Sequence, residues 1–257
     1  MPVKDLTKST RRRWWWTLWG LLAVSAAAVA LYSAEPYAVG DVERNRIPLD
    51  PGVASHYLSI AVHAIPSSLA LLIGPFQFLT RFRVRYPRAH RVAGRVYMVC
   101  VVLGSMAALF AAAFSVSGFS VQVAFFILTA AWLYTLVQAF RTIRRGEVRL
   151  HRVWMIRNYA LTFASVSLRI YLGLGLALQA NYFPSLTFDD VYHASAWASF
   201  LVNVLVAEYF IVQRVLRPAA RRQGAAGTAP ASAGDGRRVP VDAVGPAGSG
   251  SGARDRT

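Results

Sequence analysis

Few side chains in this 257-residue chain are able to do chemistry, and five of them are histidines. His56 and His63 stand seven residues apart, which places them about 20° from the same face of a helix. With His193 they lie toward one end of their apolar runs, whereas His90 and His151 stand at the opposite end of theirs. Two neutral imidazoles on facing helices are what a b-type haem requires, and electron transfer across a membrane requires one such site near each face. Gly94, one turn beyond His90, leaves room for a flat macrocycle, and Pro66 after His63 bends its helix and frees the carbonyl of Val62. The plainer reading makes these imidazoles structural or headgroup contacts. No His-x-x-x-His or Glu-x-x-His pair occurs, so no metal site is expected. The single Cys100 sits in an apolar run and reads as a small packing residue.

Arg169 lies about twelve residues into an apolar run, roughly 18 Å deep at 1.5 Å per residue. An isolated arginine there costs at least about 2.5–3.5 kcal/mol, so it must face the bundle interior and find partners. Glu208 is the expected ionic partner, with Asn203 between it and His193 on the last run. Such a set serves as a proton path, an anion or propionate clamp, or a polar ligand cavity; otherwise it is a buried pair that sets helix register. Two arginine-rich segments echo one another. His90-Arg91-Val92 is followed by Arg95 and Tyr97, and His151-Arg152-Val153 by Arg157 and Tyr159, with one extra residue in the second copy. A lipid-phosphate clamp explains these arginines; a site for a quinone head group, haem propionates or an anionic substrate is the sharper alternative.

The elements that must position these groups follow from composition. Hydrophobic residues make up 55% of the chain and charged ones 16%, against about 45–50% and about 25% in soluble domains. Apolar runs, uncharged but for Arg169 and Glu208, occur near residues 14–32, 57–79, 96–116, 119–140, 159–178 and 191–212. Each is long enough to cross a hydrocarbon core of about 30 Å. The pattern predicts an all-α polytopic membrane bundle of six transmembrane helices and excludes a disulfide scaffold, a coiled coil and a barrel. Gly104, Ala108 and Ala112, at four-residue spacing, form a seam for close helix approach.

Placing the formal charge of +16 segment by segment decides what it means. Residues 1–13 carry about +4, the segments 81–95 and 141–157 about +6 and +5, and residues 214–257 about +5, whereas residues 34–56 and the pair Asp189-Asp190 each carry about −2. Alternate connections are basic, so both termini are expected on the cytoplasmic side, and anionic headgroups rather than nucleic acid are the expected partners. Trp14, Trp15, Trp16, Trp19 and Trp154 mark the basic boundary, and Tyr57, Tyr182, Tyr192 and Trp197 the other. The expected order is a basic N-terminus over 1–13, an anchor over 14–32, an external loop over 33–56, a five-helix core over 57–213 and a disordered tail over 214–257. The anchor, ending Ala28-Val29-Ala30, also has the form of a secretory signal; its length favours retention. Twenty-six Arg against two Lys point to a GC-rich genome and a bacterial plasma membrane.

The motifs themselves carry a resemblance. His63 with Gly74-Pro75-Phe76-Gln77, then His90-Arg91-Val92-Ala93-Gly94-Arg95-Val96-Tyr97, then His151-Arg152-Val153-Trp154-Met155-Ile156-Arg157-Asn158-Tyr159 and Leu168-Arg169 resemble an uncharacterised prokaryotic family of predicted membrane proteins. The resemblance covers roughly residues 56–213. It implies a helical membrane protein and supplies no reaction. The layout is similar, more distantly, to two-haem cytochrome b membrane reductases, which implies haem b with His63 and His193 as ligands at one face, His90 and His151 at the other, and Arg169 offsetting propionate or semiquinone charge. Three functions are therefore in view: a redox component binding haem b or quinone, a transporter or small-ligand binder whose cavity holds Arg169, Glu208, His63 and Asn203, and a scaffold without chemistry.

Overall fold

A backbone in hydrocarbon has no water to bond to, so each apolar run must close its hydrogen bonds within itself as a helix. The computed structural model describes residues 3–40, 49–50, 52–53 and 55–213, with side chains from residue 13 onward. Among the described residues eight helices follow in order: α1 (Val3–Val39), α2 (His56–Gln77), α3 (Thr80–Arg85), α4 (Pro87–Ala113), α5 (Phe119–Arg144), α6 (Val148–Thr162), α7 (Ala164–Tyr182) and α8 (Phe188–Ile211). No strand occurs among the described residues. Six stretches are long and apolar enough to cross a membrane: Arg13–Val39, His56–Gln77, Pro87–Ala113, Phe119–Arg144, Val148–Tyr182 and Phe188–Ile211. The expected all-α polytopic bundle is what forms. The tail over 214–257 and residues 41–48, 51 and 54 of the acidic loop lie outside the described residues.

Consecutive spans reverse direction. Trp19 Nε1, near the start of the apolar stretch Arg13–Val39 of α1, donates to Pro75 O near the end of α2 at 3.1 Å, and Arg157 of α6 pairs with Glu208 near the end of α8. This end holds the arginine-rich segments and is the basic end; the other is the acidic end. The helices run past the expected boundaries. The two arginine-rich segments are mostly helical rather than loops, because α3 and the start of α4 absorb one while the end of α5 and the start of α6 absorb the other. Arginine is a good helix former, so a charged run does not end a helix by itself. The turn between α5 and α6 is made at Gly146, whose φ of 76° suits a residue without a side chain.

The fifth span departs most from expectation. Sequence predicts one helix over 159–178, whereas α6 and α7 meet in a break at Phe163. The Phe163 N–H still reaches Tyr159 O at 2.8 Å, but the Val166 N–H reaches only three residues back, to the Phe163 O that Ser167 also uses. Asn203 of α8 bridges the break, donating to Ala160 O at 3.0 Å and accepting from Ser167 Oγ at 2.9 Å. No proline is involved; a side chain from the neighbouring helix takes over part of the ladder.

Polar groups knit the centre. Asn158 of α6, fully buried, donates to Trp132 O at 2.8 Å and to Thr135 Oγ1 at 2.9 Å on α5, and accepts from Tyr97 of α4 at 2.7 Å. Thr162 Oγ1 lies 2.8 Å from the Tyr97 hydroxyl and accepts from Trp132 Nε1 at 2.9 Å. Every donor in this set has an acceptor. On the other side, Tyr159 donates to Leu71 O of α2 at 3.1 Å. Its ring fills the space where a side chain on Gly74 would stand, which explains the glycine of the Gly-Pro-Phe-Gln motif. Gly104 likewise sits against Ser67 and the carbonyl of His63, so the small-residue seam does bring α4 onto α2.

Replacing Asn158 with Leu removes three buried hydrogen bonds at once, leaving the Tyr97 hydroxyl with Thr162 alone and the Trp132 carbonyl with Thr135 Oγ1 as its side-chain partner. It should lower stability by about 2 kcal/mol, against about 1 kcal/mol for Tyr97→Phe. Tryptophan fluorescence during unfolding in mixed micelles measures both.

Candidate functional site

Small side chains on facing helices leave space when their helices are held apart by larger ones. Ala108, Ala111 and Ala112 of α4 and Ala64, Ser67 and Ser68 of α2 border such a space, a cavity of about 290 Å³ in the acidic half of the bundle. Trp132, Leu161 and Thr162 form its floor, so it rests directly on the Asn158 network. Tyr32, Ser33, Pro36 and Tyr37 of α1 close one side, and Tyr192 and Ser199 of α8 another. The volume is near the lower end of the range for small-molecule sites, and the mostly apolar lining with few polar groups is typical of them.

Two histidines face this space with opposite hydrogen-bonding character. His63 Nδ1 lies 2.8 Å from Gly104 O. A carbonyl only accepts, so Nδ1 carries the proton and Nε2 is left with a free lone pair. His56 shows the reverse. Its Nδ1 accepts from the Asp50 N–H at 2.8 Å, which leaves the proton on Nε2. One wall thus offers an acceptor and a donor two helical turns apart. Arg169 also borders the cavity, within electrostatic range of His63. Its guanidinium donates to Ser165 O and to Ser33 Oγ, each at 2.8 Å, and lies 5.8 Å from the Tyr32 ring centre. A fixed cation thereby stands in a low-dielectric space, where it acts most strongly on a negative or partly negative oxygen.

The remaining expected site residues are distributed elsewhere. His193 does not border the cavity; its Nε2 donates to Ser117 O at 3.0 Å, and the ring packs on Gly118, where φ is 92°. His151 donates from Nδ1 to Ala139 O at 2.8 Å at the basic end, within electrostatic range of His90. His90 packs edge-on against Phe82 with ring centres 6.4 Å apart. Arg91, Arg95 and Arg152 are exposed.

The expected pairing of Arg169 with Glu208 is corrected by the structure. Glu208 is held by Arg157 through two hydrogen bonds of 2.5 and 3.0 Å, and Arg157 lies over the Trp154 ring at 4.6 Å. The cause is depth: Glu208 belongs to the basic half of α8, level with α6, while Arg169 stands on α7 beyond the break. Neither Glu208 nor Asn203 borders the cavity. The extra residue in the second arginine motif explains why the two copies differ. It turns Arg157 by about 100° relative to Arg95, from the exposed face toward α8. Sequence reasoning missed Tyr32 and Ser33 as cavity groups, because a tyrosine and a serine on an apolar run carry no signal of what they will face. Asn158 and Thr162 had a signal, since a polar pair one turn apart within an apolar span needs partners.

A family model described as Predicted membrane protein (DUF2306) matches residues 60–211. No curated protein and no solved structure matches the chain. The matched stretch includes His63, His90, His151, Arg169 and His193 and leaves α1 and His56 outside.

Arg157→Ala and Glu208→Ala should be non-additive in a double-mutant cycle, with a coupling of about 0.5–1 kcal/mol for this partly exposed pair. Arg169→Ala combined with Glu208→Ala should be additive. Unfolding midpoints of the single and double variants decide between the two pairings.

Proposed function

The chain belongs to this family of predicted membrane proteins, and within its multi-pass bundle we propose a binding site for the head group of a quinol or quinone. The observation that carries the reading is the fixed pair of tautomers on α2. A hydroquinone has a hydroxyl that donates, and His63 Nε2 accepts; its other oxygen accepts or bears charge, and His56 Nε2–H and Arg169 supply donors and a cation. The apolar walls suit the ring and the proximal part of an isoprenoid chain. With the basic end in the cytoplasm, the cavity belongs to the outer leaflet of a bacterial plasma membrane, where such molecules reside.

A haem held by His63 and His193 fits less well. Two axial imidazoles must approach from opposite walls, and the histidines bordering the cavity, His56 and His63, both stand on α2. His193 is engaged with Ser117 instead.

Binding of 2-methyl-1,4-naphthoquinone, reduced and oxidised, can be followed by quenching of tryptophan fluorescence, since Trp132 forms part of the cavity floor. His63→Ala should weaken binding of the reduced form about tenfold, the worth of one hydrogen bond of about 1.4 kcal/mol. Arg169→Gln should weaken it at least as much, and His193→Ala should leave it unchanged. Equal affinity in all three variants would overturn the proposal. So would a Soret band that shifts on reduction in protein purified from haem-replete cells.

A further inference from the structure

The echoed arginine motifs take no part in the cavity, yet they occupy equivalent places. α4 begins at Pro87 and α6 at Val148, so His90 and His151 are each the fourth residue of their helix, followed in both by Arg and Val. A helix start carries roughly half a positive charge from its unpaired N–H groups and ordinarily attracts acids. α8 follows that rule at the acidic end, with a Thr187–Asp190 capping box and two aspartates in its first turn. α4 and α6 do the reverse. Neither has a side-chain cap or an acid in its first turn, and Arg88, Arg91, Arg149 and Arg152 add positive charge there. Glu147 stands at the N-cap of α6, but its carboxylate makes no capping hydrogen bond.

Around these starts lies a wider collar. All six arginines from 81 to 95 are exposed, and so are five of the six from 141 to 157. The sixth, Arg157, is the one that Glu208 neutralises. Among the residues described with their side chains, the only acids at this end are Glu147 and Glu208. So large an excess of one sign would repel itself unless anions lie against it. The buried atoms Gln77 Nε2, at the end of α2, and His90 Nδ1, on α4 itself, also have no hydrogen-bond partner among the described residues.

Exposed aliphatic groups decide the class of anion. Val84 is 73% exposed, Val92 57% and Val148 61%, each interleaved with the arginines, and Trp14, Trp15 and Trp16 are exposed at the same end. A soluble acidic partner would leave the aliphatic chains in water. A lipid meets both, its phosphate at the guanidinium groups and its acyl chains at the valines.

We propose that the collar over the starts of α4 and α6 is a seat for anionic phospholipid, with Arg88, Arg91, Arg149 and Arg152 as its central phosphate contacts. The seat is selective for anionic headgroups over zwitterionic ones, and it braces the two helices from which Tyr97 and Asn158 reach the centre of the bundle.

Thermal unfolding of the full chain in a neutral detergent, with lipid added, tests this. Phosphatidylglycerol should raise the midpoint by about 5 °C at saturation, and phosphatidylcholine should not. The variant Arg88→Gln/Arg91→Gln/Arg149→Gln/Arg152→Gln should unfold like the parent in phosphatidylcholine and lose the phosphatidylglycerol increment. A control with the same change of charge, Arg81→Gln/Arg85→Gln/Arg141→Gln/Arg144→Gln, should keep most of it. The proposal fails if both lipids stabilise equally, if the first variant keeps the increment, or if the control loses as much, which would mean a diffuse field rather than a seat. Inorganic phosphate alone reproducing the shift would also sink it, because a free anion and not a lipid would then be the occupant.

Discussion

A polar group buried in hydrocarbon has no water to fall back on, and the centre of this bundle is organised around meeting that demand for Asn158. Its carboxamide has two donors and an acceptor, and all are used by groups from two other helices: Tyr97 on α4, and Trp132 with Thr135 on α5. Thr162, one turn further along α6, joins the Tyr97 hydroxyl and the Trp132 indole. Three helices are thereby held in one register, since sliding any of them by a turn would strand several groups at once. Apolar packing alone gives no such discrimination in lipid, because the acyl chains are as apolar as the helices.

The cavity inherits its position from this network. Trp132 and Thr162 are both network members and cavity floor, so the space above them begins where the hydrogen bonds end. On one side the small residues of α2 and α4 come together through Gly104 and leave His63 with one nitrogen committed to a backbone carbonyl. On the other, the break between α6 and α7 sets the direction of α7 and hence of Arg169. Asn203 holds that break from α8. The tautomer of a histidine and the placing of a cation are thus both products of how backbone carbonyls in the spans find donors.

Hydropathy alone located the six spans, because nothing but a membrane helix suits runs of that length and composition. The echo between the two arginine motifs was also visible, and it proved to be a repeat of helix position. What could not be read was which polar groups meet. Arg169 and Glu208 looked like partners because both are charges inside spans, but pairing depends on level along the bundle axis, and the break at Phe163 has no proline to announce it. A single inserted residue before Arg157 decided its partner by rotating it, an effect visible only once the neighbouring helix is in place. The cavity wall contributed by α1 was equally hidden, since Tyr32 and Ser33 differ little from residues that face lipid.

That wall has a standing of its own. α1 precedes the stretch shared with the family, and only 11% of its membrane window is buried, so it leans on the bundle rather than belonging to its interlocked centre. The scaffold that fixes His63 and the surface that completes its enclosure are therefore separable, with the Arg169–Ser33 hydrogen bond as the tie between them. Exchange of residues along one face of α1 would retune the shape and polarity of the chamber while leaving the Asn158 lattice untouched, an economical way for one framework to accommodate different occupants.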